Sequence, residues 1–133
     1  MNLPCVLLSL AGLVFGISNA GAADSPPASK VSTYVESPLI GDANRTVRIT
    51  SIEIPSGGGN AFHIHPGDDY ILVQEGEITF TVKGQAPKIL KAGEGIYVPA
   101  GTIHRNQNLA GKPARNVEVF ILEKGKKPLQ NVD

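Results

Sequence analysis

From Val31 onward, short runs rich in Val, Ile and Thr alternate with turn signals. Residues 46–54 (TVRITSIEI) put Val47 and Ile49 in one period-2 phase and Ile52 and Ile54 in the other. A change of phase predicts either a bulged strand or one buried on both faces. Residues 55–60 (PSGGGN) predict a loop, and 61–65 a short strand ended by a turn at Pro66-Gly67. Residues 69–75 and 77–83 flank Gly76 and predict a hairpin. In its second arm Ile78, Phe80 and Val82 form the apolar face, and Glu77, Thr79, Thr81 and Lys83 the wet one. After a turn over 83–87, strands are expected at 88–91, 95–98, 102–107 and 116–122. No window of about 12 residues, the length of an average helix, keeps a helical period without Gly or Pro. The pattern predicts an all-β single domain, a sandwich or barrel, with no internal repeat.

The start of the chain reads differently. Met1 to Ala23 carry no charged side chain, and the apolar run 3–17 is shorter than the roughly 20 residues that span a bilayer. Ser18-Asn19-Ala20 and Gly21-Ala22-Ala23 both offer small-x-Ala cleavage sites. The expectation is an export signal over 1–23, cut after Ala20 or Ala23, although its first residues lack the usual Lys or Arg. The product would be secreted or periplasmic, with no membrane attachment after cleavage. Residues 24–45 are then a Pro/Ser-rich lead and first strand, 46–123 the barrel, and 124–133 a solvated tail marked by Lys124, Lys126 and Lys127. Cys5, the only cysteine, lies inside the signal, so no disulfide can hold the mature fold.

Composition changes this picture little. Twelve basic and twelve acidic residues cancel to a net charge of +0, which leaves no field to gather nucleic acid. The abundance of Val and Ile argues against disorder.

Candidate chemistry rests on the three histidines. His63 and His65 are two apart on an expected strand and leave the same face. Asp69 follows the Pro66-Gly67 turn and can fold back towards them, and His104 arrives on a later strand. Three imidazoles and a carboxylate make a nitrogen/oxygen site for a divalent first-row ion: Fe, Mn, Ni, Zn or Cu. A His-x-His pair alone is more often a polar feature than a ligand set. Asp68 is expected to face away, by strand alternation. Phe62, Tyr70 and Tyr97 are candidate pocket-lining residues. Arg48 and Arg105 are candidate anion contacts or salt-bridge partners.

The pattern around the histidines is more specific. Gly57 or Gly58, then His63-Ile64-His65, Asp69 and Gly76, are followed by Gly93, Pro99, Gly101, His104 and Asn108. This resembles the two motifs of the cupin family, across about residues 46–122, and implies a double-stranded β-helix, a small barrel. The first motif usually has Glu where Asp69 stands. Aspartate reaches about 1.5 Å less far, which leaves direct ligation, ligation through water, or a hydrogen bond to a histidine all open. The resemblance implies a metal-dependent enzyme of oxygenase, isomerase or lyase type, acting on a small organic substrate. No catalytic residue beyond the metal ligands is visible. The alternative is a non-enzymatic protein that binds a metal or small ligand. The family also suggests a homodimer, with residues 31–35 a candidate for exchange between subunits.

Overall fold

The computed structural model describes residues 25–132; the expected export signal lies outside them. Ten strands are described: β1 (Lys30–Leu39), β2 (Asp42–Ile54), β3 (His63–Ile64), β4 (Gly67–Glu75), β5 (Glu77–Val82), β6 (Lys88–Lys91), β7 (Gly95–Val98), β8 (His104–Gln107), β9 (Ala114–Glu123) and β10 (Gln130–Asn131). They form two five-stranded antiparallel sheets, β1-β2-β9-β4-β7 and β10-β3-β8-β5-β6. The all-β double-stranded β-helix expected from the sequence is the fold observed.

Between the sheets, Ile54, Ile71, Val73, Ile78, Phe80, Leu90, Val98 and Ala114 make one buried apolar cluster. Beside the cluster, several inward positions are polar: β9 points Asn116, Glu118 and Phe120 inward in succession, and β8 points His104 and Asn106 inward.

One expectation is corrected. Residues 69–75 and 77–83 are not a hairpin. β4 pairs with β7 and β9, and β5 pairs with β6 and β8, so Gly76 is a corner between sheets. One residue cannot make a two-residue hairpin turn. Gly76 instead adopts φ 70°, and a Cβ there would lie 2.8 Å from the Pro113 carbonyl oxygen. In β2 the change of phase comes from cover on both faces, since Thr50 and Ser51 are both buried and its pairing with β9 is unbroken. Register shifts fall in its pairing with β1, between Thr33 and Val35 and between Pro38 and Leu39. Finally, the tail keeps Lys124, Lys126 and Lys127 exposed but then returns: Gln130 pairs with Ile64, Asn131 with His63, and Val132 N–H donates to the Phe62 carbonyl.

Candidate metal centre

One sheet delivers all three histidines to one point. β3 and β8 pair so that His63 lies directly opposite His104. His65 leaves the end of β3 on the same side, and the three ring centroids are 4.4 to 5.2 Å apart. One nitrogen from each of the three lies within 4.8 Å of the others, and all three residues are buried. Asp69 comes from the opposite sheet, on β4 between Phe120 of β9 and Val98 of β7, and is 1% exposed. Its Oδ2 is 3.8 Å from His65 Nε2.

Hydrogen bonds decide which ring nitrogen is free. His63 Nδ1 meets the Ala61 carbonyl at 2.9 Å, His104 Nδ1 the Thr102 carbonyl at 2.9 Å, and His65 Nδ1 the Pro128 carbonyl at 2.5 Å. A carbonyl oxygen only accepts, so each Nδ1 carries the proton and each Nε2 presents a lone pair. His63 Nε2 and His65 Nε2 are 3.2 Å apart. That places two acceptors face to face, and their spacing fits two nitrogens on one ion, about 3.0–3.4 Å for bonds near 2.1 Å. His104 Nε2 is buried without a partner, and so are both carboxyl oxygens of Asp69. A buried lone pair or carboxylate without a partner is costly. A cation would satisfy all of these atoms together, so the residues fit a metal ion.

The electrostatics follow from burial. Desolvation pushes His63 and His65 down to about 4 and lowers His104, so the imidazoles are neutral. Desolvation, and then the charge of Glu118, push Asp69 up. Burial also raises Glu118, against a hydrogen bond from Asn116.

The sequence did not reveal Glu118. Its Oε1 accepts hydrogen bonds from Asn116 Nδ2 at 2.7 Å and Asn106 Nδ2 at 3.3 Å, the second reaching across from the other sheet. Glu118 lines a cavity of about 190 Å³ together with His63, His65, Arg48 and Phe120. The available signal was parity. In residues 116–122 (NVEVFIL) both phases hold apolar residues, so nothing local says that the phase carrying Glu118 faces in.

The three aromatics are not brought together there. Alternation that turns Asp69 inward turns Tyr70 outward, where it stacks on Tyr97 at 5.0 Å on the exterior of the sheet. The Phe62 ring lies under the Arg105 guanidinium, 4.6 Å from it. None of the three is among the residues lining the cavity. Asp68 faces away as expected, accepting from Tyr97 Oη and the Ala100 N–H. Arg48 reaches the cavity but is paired with Glu36 at 2.9 Å. Asn108 ties the barrel together, donating to the Ile54 and Lys112 carbonyls.

Residues 50–120 match the family model of the cupin domain, a stretch that holds His63, His65, Asp69, His104 and Glu118. The chain is a cupin. It is 31% identical to nectarin-1 of Nicotiana plumbaginifolia over 111 residues, which are 80% of this chain and 48% of that protein. It is also 31% identical to germin-like protein 1-1 of Oryza sativa over 110 residues, 79% of this chain and 51% of that one. Oxalate oxidase 2 of Hordeum vulgare is 27% identical over 129 residues, covering 88% and 58% of the two chains. This cupin thus spans about half the length of the curated relatives it matches. Among solved structures, a cupin-like protein from Thermotoga maritima superposes with a TM-score of 0.66 at 19% identity, over 90% of this chain and 87% of that one. The DMSP lyase DddQ of Ruegeria pomeroyi superposes at 0.61 and 20% identity, over 75% and 50%. These likenesses in structure concern the cupin fold alone.

Proposed function

We propose that this cupin is a small exported metalloenzyme that binds one divalent ion through His63, His65 and His104, with Asp69 as the fourth ligand. The observation that carries the reading is the pair of Nε2 lone pairs 3.2 Å apart beside a carboxylate without partners. When bound, such an ion supplies a Lewis acid that can take a substrate oxygen and stabilise developing negative charge. The remaining work belongs to side chains. The neutral imidazoles hold their lone pairs inward without competing protons. The cavity of about 190 Å³ excludes all but a small organic molecule. Glu118, clamped on one oxygen by two amides, is the group on the cavity wall able to hold or release a proton.

The name oxalate oxidase among the relatives, and DMSP lyase among the fold neighbours, support oxidation or elimination on a small acid or a similarly compact substrate. Export is supported by the uncharged start of the chain, and a homodimer by the long exposed edge strand β1. Metal analysis of protein purified from its native host tests the reading: one equivalent of one transition metal is expected. Oxygen uptake or product formation with small carboxylic acids then tests turnover. Protein that carries no metal, and takes up none on reconstitution, would overturn the assignment.

A further inference from the structure

The three histidines are not held in the same way. His63 and His104 each donate Nδ1–H to the carbonyl two residues earlier, Ala61 and Thr102. Those bonds come with the local backbone of the two motifs. His65 has no such local acceptor. Its Nδ1–H goes to the carbonyl of Pro128, 63 positions away. That carbonyl is held in place because the chain beyond it joins the sheet, through Gln130 opposite Ile64, Asn131 opposite His63, and Val132 N–H on the Phe62 carbonyl. Pro128 and Leu129 also line the cavity, together with Val31 and Thr33 of β1. Residues 128–132 lie outside the stretch that matches the family model, which ends at 120.

We propose that residues 128–132 are a working part of the centre: the Pro128 carbonyl is a positioning group that holds the His65 ring in the tautomer and orientation that give Nε2 to an ion. The inference rests on the metal reading above. An imidazole free of this bond can carry its proton on either nitrogen and can rotate about its side-chain torsions. Either change withdraws one of the three lone pairs. Outer partners of this kind are typically worth about 10–100-fold in metal affinity.

Ring-nitrogen NMR of the metal-free, full-length chain at pH 7 tests the link without any ion. All three histidines are expected to carry the proton on Nδ1. In Gln130→Pro, where proline cannot donate to the strand ladder, and in a chain ending at Lys127, His65 alone should move towards the Nε2–H form. His63 and His104, with their local acceptors, should keep theirs and serve as the internal sign of a folded barrel. Pro128→Gly, which loosens the accepting carbonyl and removes no donor, gives the same comparison with every strand residue intact. The Co(II) dissociation constant should rise about 10–100-fold in the variants that shift His65. A His65 tautomer unmoved by all three changes, or a shifted tautomer with unchanged Co(II) affinity, would overturn the proposal. Failure of the full-length chain itself to bind Co(II) overturns the metal reading instead, and the tautomer measurement separates the two.

Discussion

Among single residues, His104 and Asp69 test different parts of the centre. His104 Nε2 is buried with no partner, opposite His63. His104→Ala is expected to weaken metal binding by well over the roughly 100-fold that marks an outer partner, as read by chelator competition. Asp69→Ala should likewise weaken binding beyond that range if the carboxyl, buried with neither oxygen bonded, is the fourth ligand, and a loss of only about 10–100-fold would mark it as an outer partner. Asp69→Glu then discriminates. A longer arm that brings the carboxylate onto the ion raises affinity, whereas crowding of an existing ligand lowers it. The pH dependence has two opposed contributions. His63 and His65 fall from 6.5 to about 4 on folding, so the unfolded chain binds their protons first, and stability drops as pH falls below about 6.5 towards 4. Asp69 and Glu118 are raised from 3.8 and 4.5, so the folded chain keeps protons that the unfolded chain releases. Their contribution declines as pH rises above those unfolded values. The metal-free melting temperature should therefore fall on both the acid and the alkaline side. Metal should relieve the alkaline decline, because a cation favours the Asp69 carboxylate. Calorimetry at pH 7 in buffers of different ionisation heat should find about one proton released per ion bound. No proton released would place Asp69 outside the coordination shell.

At the scale of the strands, legibility depended on whether the information was local. β6 and β7 fall where the pattern of residues 88–91 and 95–98 put them, because turns on both sides bound each run. The His-x-His pair and His104 converge, as the resemblance of the two motifs implied. Glu118 did not show, since β9 is apolar in both phases and its neighbours β2 and β4 set which phase faces in. The outward turn of Tyr70 and Tyr97 follows from that same parity. The hairpin expectation failed because a strand leaving for the other sheet reads, locally, like one doubling back. Gly67 shows how closely the strands are drawn at the site. A Cβ there would lie 1.9 Å from the Ile121 carbonyl oxygen, so β4 and β9 would have to part. Gly67→Ala is expected to destabilise the fold by about 3 kcal/mol in denaturant unfolding. It should also loosen metal binding, since Asp69 is two residues along the same strand.

For the molecule as a whole, stability is expected to follow metal loading and not redox state. With Cys5 the only cysteine, the described residues have no disulfide to lose, and reducing agent should leave the melting temperature unchanged. A metal at one hundred times its dissociation constant should add about 2.7 kcal/mol. A melting temperature indifferent to every first-row ion would count against the centre. The division of the barrel interior carries a further consequence. The apolar cluster of Ile54, Val73, Ile78 and Leu90 meets the polar centre at Ile71, opposite Glu118, at Val98, opposite Asp69, and at Phe80, whose ring is 5.5 Å from that of His104. Amide hydrogens of the apolar cluster should exchange with deuterium only when the chain unfolds globally. Those of residues 63–65 and 128–132 should exchange through smaller openings. Cohesion and chemistry thereby share a seam at Ile71, Val98 and Phe80, and substitutions on that seam should change metal affinity and stability together.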